Sequence, residues 1–274
     1  MQTLDKVYHN FIGYDDREKE AYQVARHTLL KHATVPIQVH KLEHKELRRL
    51  GLFTRGHKVE GATGQFIDDV DERPFSTQFT FTRFLIPELW RTQLKAQPNV
   101  SPLVMFVDCD FLWTQDIGEM FKDIERQKLN SQGRAPLYCV KHDYNPVSEI
   151  KMDNVKQHRY NKKLWAAMFV YDMEHEDNQR CTPELVNTAG GRDLMNFCWV
   201  SNDHHIGDID SKWHFIPNHS RDDEIAAIHW TEGGPWFKHL RGGKYDTLWY
   251  DAYRDFIKKH IVDISVNITG MIDD

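Results

Sequence analysis

Two carboxylates one residue apart stand directly behind an apolar run: Val104-Met105-Phe106-Val107 leads into Asp108-Cys109-Asp110. Consecutive apolar residues suit a strand buried on both faces. In open α/β sheets, ligands collect beyond the carboxyl ends of such strands. Two carboxylates there repel each other unless a proton or a cation lies between them. Hard carboxylate oxygens favour Mg2+ or Mn2+, and such an ion stabilises charge developing on a departing diphosphate. The plainer alternative is two carboxylates capping a turn, because Asp-x-Asp alone is common.

A second stretch, Ile228-His229-Trp230-Thr231-Glu232-Gly233-Gly234-Pro235-Trp236, ends a short apolar run in a histidine. One imidazole nitrogen of His229 is a suitable third metal ligand. Gly233 and Gly234 let backbone N–H groups approach an anion closely. The alternative is a tight turn with a core histidine and a buried tryptophan.

These groups need a scaffold that brings residue 229 to residue 110. Val7–Ile12 reads as a strand ending at Gly13. Asp15 or Asp16 caps a helix whose Ala21, Val24, Ala25, Thr28 and Leu29 share one face. Val35–Val39 reads as the next strand, so the order points to a parallel sheet with helical crossovers. Residues 51–73 read as a polar loop, and 75–89 as a helix with Phe81, Phe84, Leu85 and Leu89 inward. Further strands are expected at 104–107, 137–141, 166–171 and 226–230, and one or two helices at 183–199. A terminal helix at 245–261 would pack through Leu248, Trp249, Tyr253, Phe256 and Ile257, an apolar stripe rather than a sugar platform. The fold class is α/β, one domain over 1–274. Its nucleotide-binding part spans about 1–112 and its acceptor and metal-completing part about 113–240.

Composition agrees with a folded enzyme. Of 274 residues, 40% are apolar and the formal charge is -6, which argues against broad nucleic-acid binding. No run approaches membrane-spanning length, and the first residues lack a signal-peptide pattern, so a cytoplasmic location is expected. Cys109, Cys139, Cys181 and Cys198 lack metal-type spacing and read as reduced, mostly buried thiols. His40 and His44 have ligand-like helical spacing but no third partner nearby.

Together the Asp-x-Asp and the His-to-Pro-Trp turn resemble the metal-dependent GT-A glycosyltransferases, especially the retaining family 8-like group in its small, stand-alone bacterial or phage form. The resemblance implies a Rossmann-like, mostly parallel sheet flanked by helices. It implies Mn2+ or Mg2+ on Asp108, Asp110 and His229, and a UDP-sugar donor, with UDP-glucose the best match. It places Phe11, Gly13, Tyr14 and Asp15 at the base and ribose. Arg83, Asp108, Cys109, Gly233, Gly234 and Trp236 fall on the donor. Asp143, in Val140-Lys141-His142-Asp143-Tyr144, and Asp203 and His204, in Asn202-Asp203-His204-His205-Ile206, fall beside the reacting sugar. Adjacent residues 203–205 do not all face one ligand. Leu164-Trp165-Ala166-Ala167-Met168 matches the small-residue segment facing the donor sugar. The chain departs from the group where a lysine usually precedes Pro-Trp: Gly234 stands there, leaving Lys238 or Arg241 for the diphosphate. Retention follows from the resemblance alone. The acceptor, whether saccharide, lipid-linked sugar, protein or nucleic acid, is not legible. The competing readings are a haloacid-dehalogenase-like Mg2+ phosphohydrolase, disfavoured by Phe111-Leu112 after a mid-chain motif, and a non-catalytic nucleotide-sugar-binding module.

Overall fold

The computed structural model describes residues 6–61, 64–130, 135–143, 150–151, 155–156, 162–221 and 224–269. Tyr144 and the first five residues lie outside them. The strands are β1 (Val7–Gly13), β2 (Ile37–Leu42), β3 (His57–Val59), β4 (Phe66–Asp68), β5 (Pro74–Phe75), β6 (Val100–Val107) and β7 (Phe111–Trp113). They continue with β8 (Leu137–Cys139), β9 (Ile150–Lys151), β10 (Val155–Lys156), β11 (Met168–Asp172), β12 (Gly207–Asp208) and β13 (Ala227–His229). The α-helices are α1 (Lys19–His32), α2 (His44–Arg49), α3 (Ile86–Leu89), α4 (Ile117–Asn130), α5 (Pro183–Thr188), α6 (Gly191–Met195) and α7 (Asp246–Thr269).

The main sheet has the order β12-β8-β11-β6-β1-β2. Strand β1 is parallel to β2 and β6, and β12 is parallel to β8. Strand β11 alone runs antiparallel, between β6 and β8. The sheet is therefore mostly parallel, as expected, with one reversed strand beside the central one. Residues Leu103–Val107 of β6 are at most 1% exposed. Burial of each such side chain stabilises the fold by roughly 1.5–3 kcal/mol. On one side of the sheet α1 buries Ala21, Val24, Ala25, Thr28 and Leu29, the face its spacing gave. The Thr28 hydroxyl also accepts the backbone N–H of Trp113 at 3.2 Å, which ties α1 to β7.

Several local expectations need correction. Residues 51–73 are not simply a loop, because β3, β4 and β5 form a small antiparallel sheet. It is anchored by a buried Arg55–Asp68 pair with bonds of 2.7 and 2.5 Å. Residues 75–89 do not form one helix. Residue 75 ends β5, Thr77 and Thr80 close a turn through a 3.0 Å backbone bond, and a 3-10 turn at Thr82–Leu85 precedes α3. Phe81, Phe84, Leu85 and Leu89 are nevertheless buried. The second strand starts at Ile37 rather than residue 35, since Pro36 has no N–H to donate and offers only its carbonyl, to Tyr8. His40 lies on that strand, not on a helix, and pairs with His9 at 2.8 Å. Helix α7 runs to Thr269; its Trp249 and Phe256 are buried, but Leu248 and Ile257 are exposed. Cys198 is exposed, while the other three thiols are buried and none is bridged. No helix among the described residues is long and apolar enough to cross a membrane.

Candidate metal centre and cleft

Strand β6 delivers Asp108 at its carboxyl end, and the chain then turns straight into β7. Nothing in the residue pattern marks Phe111–Trp113 as a pairing strand. It pairs antiparallel with β13, matching Phe111 to His229, Leu112 to Ile228 and Trp113 to Ala227. The backbone N–H of Trp230 also donates to the Asp110 carbonyl at 3.1 Å. This register carries His229 across 119 residues of sequence to the two aspartates.

Asp108, Asp110 and His229 each offer one ligand atom within 4.8 Å of the others. His229 Nε2 stands 3.2 Å from Asp110 Oδ1, yet that buried oxygen accepts no hydrogen bond from a described group. Two donor atoms that lean together without bonding, one oxygen and one nitrogen, fit the borderline-hard set that Mg2+ or Mn2+ accepts. The residues therefore fit a divalent cation.

Asp108 and His229 are each braced from behind. The Arg83 guanidinium, 5% exposed, pairs with Asp108 at 2.9 Å and donates to the carbonyls of Thr80 and Ala166. It lies over the rings of Phe106 and Phe79. The Asp108 backbone N–H donates to the Ala167 carbonyl at 2.8 Å. The His229 ring stacks on Phe111, with centroids 4.4 Å apart. Its Nδ1 is 2.7 Å from Nε2 of His214. His214 is fully buried, and burial, aided by His142 and His229 alongside, pushes its pKa well below the usual histidine range. It is a neutral imidazole at physiological pH.

A cleft opens beside Asp108. Arg83, Lys163, Leu164, Ala166, Ala167 and Thr231 line its inner end. Leu164, Ala166 and Ala167 belong to the segment expected to face a donor sugar. Leu164 adopts a left-handed conformation with φ of 71°, which costs a bulky residue on the order of 1–3 kcal/mol. Thr231 and Lys163 were not singled out from sequence, and nothing in their spacing marks them. His214 sits amid an ordinary Trp-His-Phe run and is equally silent.

The remaining expected donor residues are distributed unevenly. Tyr14 is partly exposed, with Lys41 Nζ 4.4 Å above its ring. Phe11 is buried against His40, and Gly13 is crowded by Phe79, whose ring lies 2.5 Å from where a Cβ would be. The Asp15 carboxylate is fully buried and taken up by Arg17 and the Gln78 N–H. Cys109 is buried 3.7 Å from Glu18, and burial followed by that carboxylate pushes its thiol well up. Gly233 has φ of 99°, a turn only glycine makes easily. Gly234 lies against the Trp236 ring, which packs on Trp230 and Trp249. Lys238 is exposed and does not line the cleft. Asp143 and His204 are exposed outside the cleft, and Asp203 pairs with Lys162 at 2.5 Å.

No protein-family model matches the chain. Among solved structures it is similar to the bifunctional glycosyltransferase WbbM, with a TM-score of 0.50 and 15% identity, over 92% of this chain and 52% of that one. It is also similar to the glycosyltransferase GlyE of Streptococcus pneumoniae TIGR4, with a TM-score of 0.53 and 12% identity, over 94% of this chain and 64% of that one. The chain thus spans about half to two thirds of the length of these structures, and the likeness establishes the GT-A fold. In sequence it is 34% identical over 261 residues to Protein CDI of Arabidopsis thaliana, covering 93% of this chain and 89% of that protein. The chain therefore belongs to the family of Protein CDI.

Proposed function

We propose that the chain is a metal-dependent glycosyltransferase that passes a sugar from a UDP-sugar, with UDP-glucose as donor, to an acceptor hydroxyl with retention. The observation that carries this reading is the Asp108, Asp110 and His229 cluster at the carboxyl end of the central strand of a GT-A sheet, opening on a cleft. A divalent cation on these three residues supplies charge neutralisation for the diphosphate.

The chain's own residues set the geometry. Arg83 fixes Asp108 and offsets one of the two carboxylate charges, which leaves the cluster with one net negative charge for a dication. Ala166 and Ala167 leave space for a pyranose. Tyr14 offers a face for the uracil, and the Gly233-Gly234 backbone approaches the diphosphate. Lys163, on the cleft wall, stands in for the lysine that the turn lacks. Asp143, Asp203 and His204 are the residues assigned beside the sugar. The acceptor oxygen bonds to the anomeric carbon as the bond from that carbon to the diphosphate breaks. The departing UDP keeps the electron pair and takes up the acceptor's proton.

The test is thermal unfolding with UDP, with and without Mn2+, in wild type and Asp110→Asn. Ligand at a hundred times its Kd stabilises by about 2.7 kcal/mol. UDP should raise the wild-type Tm only when Mn2+ is present, and should leave Asp110→Asn unmoved. A Mn2+-independent shift, or one that survives in Asp110→Asn, defeats the assignment.

A further inference from the structure

The cleft as a whole is more basic than a neutral hexose requires. Its lining carries four cationic side chains, Arg73, Arg83, Lys163 and Arg192, against two carboxylates, Asp71 and Asp108. Both carboxylates are committed. Asp108 pairs with Arg83. Asp71 spends one oxygen on the backbone N–H of Arg73 at 3.1 Å and the other on that of Gly191 at 2.8 Å.

The second commitment is informative. One carboxylate ties together the backbones of two segments far apart in sequence, and each bears an arginine at the cleft: Arg73 itself, and Arg192 next to Gly191. Gly191 permits the approach, because a Cβ there would lie 2.9 Å from the Phe81 ring and 3.3 Å from Asp71 Oδ2. Neither guanidinium makes an ion pair with a described residue. Arginine pairs exposed to a cleft and not spent on internal carboxylates suit bidentate recognition of carboxylate or phosphate.

We propose that Arg73 and Arg192 form a subsite for an anionic group, a carboxylate or phosphate ester, carried by the donor sugar or by the acceptor. This rests on the glycosyltransferase reading for the identity of the cleft. Asp71 is the positioning residue that sets the spacing of the two arginines, and Arg83 and Lys163 remain with the metal-proximal end.

Calorimetric titration tests this with five probes. Glucose, glucuronate and glucose 6-phosphate are titrated into the protein alone and into the protein saturated with Mn2+ and UDP. UDP-glucuronate is compared with UDP-glucose in Mn2+. The expected result is that at least one anionic probe binds about tenfold or more tightly than its neutral counterpart. Preference among free sugars assigns the anion to the acceptor, and preference among nucleotide sugars assigns it to the donor. The double variant Arg73→Gln/Arg192→Gln should erase the preference and leave Mn2+-dependent UDP binding unchanged. Gly191→Ala, which keeps every charge but pushes the two segments apart, should weaken the preference too. A purely long-range charge effect would not respond to it. Equal binding of anionic and neutral probes in every arm overturns the proposal, as does a preference that survives in the double variant. Failure of UDP to bind with Mn2+ would instead defeat the glycosyltransferase reading, while the free-sugar arm on the protein alone still decides the anion subsite.

Discussion

Replacing His214 with Phe isolates how His229, the proposed metal ligand, is held. The imidazole of His229 has one nitrogen toward Asp110 and the other 2.7 Å from His214 Nε2. A ligating Nε2 must present its lone pair, so the ring proton belongs on Nδ1 and is donated to His214. His214 is held neutral by its burial and therefore has a lone pair with which to accept. In His214→Phe that N–H loses its partner in a dry site, at a cost of about 1–3 kcal/mol. The ring escapes the cost by moving its proton to Nε2, where Asp110 Oδ1 waits, but that tautomer has no lone pair for a cation. The penalty thus falls on metal binding rather than on folding. At about 1.4 kcal/mol per decade it weakens the Mn2+ Kd by roughly 10- to 100-fold, the range seen when outer partners of ligating histidines are removed. Paramagnetic resonance of free Mn2+ measures the Kd, and urea unfolding measures stability without metal. His214→Gln offers an amide oxygen in place of the lost nitrogen and should restore affinity to within a few-fold of wild type. Unaltered Mn2+ affinity in His214→Phe refutes the reasoning. So does a large loss of apo stability with equal loss of affinity in both variants, which would mark His214 as core filling alone.

Two further predictions concern stability. Arg55→Met leaves Asp68 as a buried, unpaired carboxylate and strips donors from the Val186 and Ala189 carbonyls; breaking such a pair costs about 3–5 kcal/mol, so urea unfolding should show a loss of that size. His9 is 1% exposed, and burial, then the neighbouring His40, lowers its pKa to about 4. The unfolded chain takes this proton near pH 6.5 and the folded chain only near 4. Stability should therefore fall as pH drops through that window, by up to about 3 kcal/mol from this group. Urea unfolding at pH 7.5, 5.5 and 4.5 should show a shallower fall in His9→Gln, and parallel curves for the two proteins would contradict the assignment.

Sequence pattern alone reached the parts of the molecule governed by local chemistry. The apolar run before Asp108 marked the central strand because a strand buried on both faces has no polar positions. Helix α1 was legible residue by residue because its 3.6-residue period is unbroken. Asp108, Asp110 and His229 were legible as ligand types at the ends of apolar runs, where side chains leave the core. Short elements were hidden. Strands of two or three residues, such as β3 to β5, have no period to detect and are stabilised by pairing across the chain. The 75–89 segment has a helix-like apolar spacing, but the Thr77–Thr80 turn and Pro87 divide it.

What the sequence by itself determined is the donor set: which groups offer ligand atoms suited to a dication, and that they end strands of an α/β sheet. Tertiary structure alone decided that they meet. The antiparallel register of β7 with β13 brings His229 to Asp110, and no periodicity encodes a register between segments more than a hundred residues apart. It also decided which polar groups are spent and which stay free to act. Asp15, a plausible ribose ligand in the sequence, is consumed by Arg17 and Gln78, whereas Arg73 and Arg192, unremarkable in the sequence, converge on the cleft. Whether a side chain is free for a ligand depends on neighbours that folding supplies.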